Sequence, residues 1–117
     1  MLEALVLLAA LADTKTFDAC MDKAGGVTAS MLDCIGAETD RQDARLNAAY
    51  KKLMGTLAPG RQASLKSAQR LWIGYRDANC AFRADPDGGT LAGVTAADCV
   101  LTMTRDRAQE LEGLTEE

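Results

Sequence analysis

The chain has 117 residues, 13 of them basic and 17 acidic, with no histidine and a formal charge of −4. That length supports one domain with one core. The acidic balance excludes nucleic-acid binding of the kind that neutralises phosphates with a basic patch, and it suits a basic protein partner.

The chain opens on the apolar run Leu2-Glu3-Ala4-Leu5-Val6-Leu7-Leu8-Ala9-Ala10-Leu11-Ala12. A helix needs about 20 apolar residues to cross a bilayer, so no stable membrane insertion is expected. Ala10-Leu11-Ala12 is an A-x-A cleavage pattern before the polar Asp13-Thr14-Lys15-Thr16, and residues 1–12 read as an export signal or its remnant. No Lys or Arg precedes the run and Glu3 has the wrong sign, which leaves an ordinary first helix with an apolar face as the alternative. Residues 13–117 then form a single domain.

Phe17 to Gly26 reads as a short connecting stretch holding Cys20. A long helix is predicted from near Thr28, whose hydroxyl suits a cap. Its stripe runs Met31, Ile35, Thr39, Gln42, Leu46, Ala49, Tyr50, Leu53 and Leu57, at spacings of three and four. Ala58-Pro59-Gly60 breaks it. A second helix is predicted over Arg61 to Phe82. Leu65, Ala68, Trp72, Tyr75 and Asn79 make one stripe, and Leu71, Ala78 and Phe82 widen the apolar arc. So wide an arc marks the core helix of a bundle. Arg83 to Val94 holds Pro86, Gly88, Gly89 and Gly93 and reads as a loop. Thr95-Ala96-Ala97-Asp98 resembles a capping box, and the helix after it carries Cys99, Val100, Met103, Arg107, Leu111 and Leu114 before a frayed acidic end. No stretch alternates as a half-buried strand does. The fold class is all-α: a small disulfide-bonded bundle of three main helices plus an N-terminal segment.

Cys20, Cys34, Cys80 and Cys99 are the four cysteines. In a short domain they point to two disulfides and an oxidising compartment, with three pairings open. The local pairing, Cys20 with Cys34 and Cys80 with Cys99, would tie the N-terminal strap to the long helix and close the Gly-rich loop. Each short loop would contribute about 3 kcal/mol. There is no C-x-x-C pair, and without histidine a zinc site would need all four thiolates from distant places, so no metal and no cofactor is expected. Catalysis is not expected either: the usual general base is missing, and Ser30, Ser64 and Ser67 have no evident activating partner. Met31, Met54 and Met103 read as core filler.

The order of motifs is distinctive. Cys20, Cys34, Leu46-Asn47 and Tyr50 are followed by Ala68-Gln69-Arg70-Leu71-Trp72 and Tyr75-Arg76-Asp77-Ala78-Asn79-Cys80, then Gly88-Gly89-Thr90, Cys99 and Leu101-Thr102-x-x-Arg105. In this combination, over about residues 18 to 114, the chain resembles the LprI-like lysozyme-inhibitor family. The resemblance implies a helical, disulfide-bonded, periplasmic or secreted bacterial domain, and for some members inhibition of lysozyme. The lipoprotein that gives the family its name carries a cysteine directly after its cleavage site. Here Asp13 follows Ala12, so a soluble product is expected.

Within the family motif the residues divide between structure and contact. Trp72, Tyr75 and Phe82 are expected in the core, since the chain has only one Trp, two Tyr and two Phe. Tyr50 and Asn47 are expected to face the second helix, Asn47 satisfying Gln69 or Arg76. Arg70, Arg76, Asp77 and Arg105 read as an interhelical salt-bridge and hydrogen-bond network fixing helix register, with an exposed polar cluster that engages a ligand as the alternative, and Thr102 is a further structural residue of the motif. Arg76 and Asp77 point about 100° apart and should have different partners, with Asp77–Arg105 the preferred pair. The loop residues Arg83, Asp85, Asp87, Gly88, Gly89 and Thr90 are the partner-binding candidates, because a disulfide-bracketed loop loses less entropy on binding. The expected function is a protein-binding module that blocks a lysozyme cleft. The alternative is a periplasmic envelope-stress or chaperone-like binding protein without lysozyme inhibition, marked by a large exposed apolar patch.

Overall fold

A computed structural model describes residues 14–115. The export-signal reading of residues 1–12 and the fraying of the last two residues lie outside this range. Among the described residues there are four helices and no strand: α1 over 14–24, α2 over Thr28–Met54, α3 over Pro59–Arg83 and α4 over Leu91–Thr115. The stretch expected to connect is therefore helical, and the all-α class holds with one helix more than expected.

The helix ends follow from local chemistry. Gly25 and Gly26 have φ of 56° and 81°, a left-handed pair that ends α1 and that side chains resist. Helix α2 does start at Thr28, but its N-cap is Val27 with no side-chain bond, so the Thr28 hydroxyl is not the cap. Pro59 sits in the first turn of α3, where its missing N–H costs nothing. The Arg83–Val94 loop is shorter than expected. Helix α4 begins at Leu91, so Thr95 and Asp98 lie inside a helix and cap nothing, and Gly93 is carried at an exposed helical position.

The helices form a layer with α4 in contact with both α2 and α3, while α2 and α3 make little direct contact. The molecule measures 47 × 32 × 15 Å, and its short dimension is close to one helix diameter. The core lies between α2 and α4: Leu46, Ala49 and Leu53 pack on Ala108 and Leu111, with Tyr50, Leu57, Leu65 and Trp72 against them. On α4 the buried face is Leu101, Thr104, Ala108 and Leu111, rotated from the predicted stripe; Cys99, Met103 and Arg107 are only half-buried and meet α3.

This placement corrects the reading of α3 as the core helix. Only Gln69 and Cys80 are buried on it. Trp72 is half-buried, but Tyr75 is 63% and Phe82 85% exposed, and Leu71 is 76% exposed. In a single layer an edge helix has one neighbour, so about half of a wide apolar arc is left uncovered.

Candidate functional site

The cysteines pair locally, Cys20–Cys34 and Cys80–Cys99, with Cα separations of 5.7 and 5.5 Å. The second bridge joins the last turns of α3 to the early part of α4. It clamps both ends of the loop 84–90.

That loop has a built shape. The Asp85 carboxylate accepts from the Asp87 N–H at 2.9 Å, and the Asp85 carbonyl accepts from the Gly88 N–H at 2.9 Å. Asp85 therefore holds the turn rather than pointing at a partner. Gly89 has φ +62°, which side chains resist, and a Cβ on Gly88 would lie 3.1 Å from the Asp85 carbonyl oxygen, a close approach that favours glycine there. Asp87, Thr90 and Arg83 are exposed. Arg83 donates from Nε to Asn79 Oδ1 at 3.4 Å, one turn back along α3.

Beside the bridge is a groove of about 340 Å³ between α3 and α4, lined by Asn79, Arg83, Thr95, Asp98, Thr102 and Asp106. Asn79 Nδ2 donates to Met103 Sδ at 3.2 Å, closing the groove floor next to the disulfide. The lining offers one cation and two carboxylates for polar contact. No group of three or more potential metal ligands occurs among the described residues. No helix there is long and apolar enough to cross a membrane.

The family-motif residues do not gather at this loop; three of them, Gln69, Trp72 and Arg76, join α3 to α4. The Trp72 ring lies under two guanidiniums, with Arg76 at 5.2 Å and Arg107 at 5.9 Å from its centroid. Arg107 donates to Gln69 Oε1 at 3.0 Å and pairs with Glu110. Arg76 reaches the buried Thr104 hydroxyl at 3.4 Å and also pairs with its neighbour Asp77 at 3.0 Å. The expectation that Arg76 and Asp77 would have different partners is therefore wrong, because the Arg76 guanidinium serves both: Nη1 reaches Thr104 while Nε donates to Asp77. Nor does Asp77 meet Arg105. Arg105 lies on the α2 side of α4, where its Nη2 is 3.8 Å from Glu38 Oε2. Asn47 is exposed and bonds weakly to Asp43 at 3.5 Å, not to Gln69 or Arg76. Arg70 and Thr102 are exposed, while Tyr50 packs against the core cluster as expected.

A second polar cluster was not anticipated. Glu38 is fully buried between α2 and α4, salt-bridged to Arg41 at 2.6 Å, with its Oε2 and the Nε of Arg105 left without a hydrogen-bond partner. Two turns on from Glu38, Arg45 binds Glu112 through two nitrogens and also donates to the buried Gln42. A signal for Glu38 was present: it lies three residues after Ile35 and four before Gln42, in register with the buried stripe.

A model described as "Lysozyme inhibitor LprI" matches residues 20–111. An uncharacterised protein of Rhizobium meliloti (strain 1021) is 35% identical over 79 residues, covering 67% of this chain and 51% of that protein. The chain thus spans about half the length of this curated relative. No solved structure matches the chain.

Proposed function

The chain belongs to the LprI lysozyme-inhibitor family, and from that premise we propose that it is an exported protein-binding module that inhibits a lysozyme-type peptidoglycan hydrolase. The observation that carries this reading is the loop 84–90: exposed, internally bonded, and clamped at both ends by Cys80–Cys99. A loop ordered before binding loses little entropy on docking. Lysozymes work with two carboxylates flanking the scissile bond in a cleft. The loop occludes that cleft sterically, and the exposed Arg83 guanidinium meets one of the carboxylates. Asp85, Gly88 and Gly89 act by holding the loop's shape, whereas Arg83, Asp87 and Thr90 make the contact. Two disulfides suit an oxidising location, periplasmic or secreted.

The test is turbidity loss of peptidoglycan suspensions under several lysozyme types, with the oxidised protein titrated in. Dose-dependent protection is expected. Arg83→Ala should raise the half-inhibitory concentration roughly tenfold or more, as losing an interface Arg that meets a charge does. Absence of protection against every lysozyme type well above micromolar concentration would remove the reading.

A further inference from the structure

The outer side of α3 carries a set of residues that the inhibitor reading does not use. Leu71, Tyr75, Ala78 and Phe82 lie within about 60° of helical arc. Three of them are large and open to solvent, at 76%, 63% and 85% exposure for Leu71, Tyr75 and Phe82. Around them are Ser67, Ala68, Gly74 and Ala81, all exposed and all small. No charged residue interrupts this strip; Lys66, Arg70 and Asp77 run along one edge of it. Exposed apolar residues scattered singly are ordinary, but an aligned, charge-free strip along a helix marks a surface that is covered in use.

We infer that this strip is covered by a second copy of the chain, whose α3 packs antiparallel on it across a two-fold axis near Gly74 and Tyr75. The strip is complementary to itself. With the axis there, Phe82 faces Ser67 of the other copy, Leu71 faces Ala78, and the two Tyr75 side chains meet each other at the axis. Phe82 and Leu71 each meet a small residue, in pairings that occur twice as an isologous interface requires, and the two tyrosines form an aromatic pair between them. The edge charges agree. Arg70 of one copy comes beside Asp77 of the other on the same edge of the interface, and the symmetric pair repeats across the axis, whereas parallel two-fold packing would put the two charged edges on opposite sides. Such rim pairs add little affinity but fix orientation. The three large side chains alone present roughly 400 Å² per copy. Two copies bring roughly 800 Å² of large apolar side chain together, the scale of a weak, concentration-dependent dimer.

Sedimentation equilibrium on the oxidised full chain over a concentration series tests this. The expected mass is twice the 12.4 kDa of one chain at high concentration, falling to one chain on dilution. Phe82→Glu should weaken association at least about 30-fold with unchanged helical circular dichroism, because an interface anchor is replaced by a charge facing Ser67. Arg70→Asp should weaken it, and adding Asp77→Arg in the same chain should restore it, an outcome that another docking face would not produce. A wild-type chain that stays monomeric at millimolar concentration overturns the inference, and so does a dimer indifferent to both Phe82→Glu and Leu71→Glu. A monomer whose lysozyme inhibition is lost in Phe82→Glu would also overturn it, assigning the strip to the hydrolase. The inference does not depend on the inhibitor reading, which the turbidity assay tests separately.

Discussion

Helices α2 and α3 are nearly equal in length, at 27 and 25 residues, and their apolar stripes look alike in sequence. Yet α2 buries seven residues and α3 only Gln69 and Cys80. The difference lies in what each helix meets. Helix α2 lies along α4 on a broad face that includes ion pairs, while α3 touches α4 through one narrow line and a disulfide. That line includes Trp72 under Arg107, Gln69 with Arg107, Arg76 with Thr104, Asn79 with Met103, and Cys80 with Cys99. Apolar content sets how much surface favours cover; the layer decides how much of it the chain itself supplies.

The strongest way to break this contrast is to cut the covalent tie of α3. Cys80→Ser with Cys99→Ser should cost about 3 kcal/mol, or on the order of 10 °C in melting temperature. Amide exchange should rise first in the C-terminal half of α3 and leave the α2–α4 seam protected, as hydrogen-exchange mass spectrometry would show. Uniform loss of protection would mean that α3 is as central as its sequence implied. A smaller effect is expected at the seam. Glu38→Ala removes the buried carboxylate that Arg41 binds and Arg105 faces at 3.8 Å, and should cost about 2 kcal/mol in denaturant titration. Both arginines are about one-third exposed and can turn to solvent, which keeps the cost below that of a fully buried pair. The smallest effect belongs to the open face. Tyr75→Ala should change the stability of the isolated chain by no more than about 0.5 kcal/mol, measured by chemical denaturation at low micromolar concentration. A loss above 2 kcal/mol would show that Tyr75 packs within one copy.

Much of the layout was legible because its signals are local. The α2 stripe from Ile35 to Leu53, the break at Pro59 and the loop around Pro86 to Gly89 depend on neighbours three or four residues apart. Four cysteines at those spacings made the local pairing one of three, and geometry selected it. The long-range pairings were not legible. Nothing local says that Arg105 reaches Glu38 rather than Asp77, because both partners lie on other helices and the choice follows from which side of α4 each helix occupies. The same cause misplaced Tyr75 and Phe82. A single chain does not disclose whether a wide apolar arc is filled by its own fold. At the candidate site, the loop was found from composition, but the role of Asp85 as the turn's internal acceptor needed coordinates.

The Cys80–Cys99 bridge also sets how the molecule responds to a protease. The loop 84–90 is the exposed, irregular segment such an enzyme would cut, and Arg83 offers a trypsin-like enzyme a target at its edge. A cut there opens the backbone without dividing the molecule, since the two fragments stay linked through sulfur and α3 remains docked on α4. Severed chains would then come apart only in a reductant, so the same covalent ring that shapes the loop lets a nicked molecule persist.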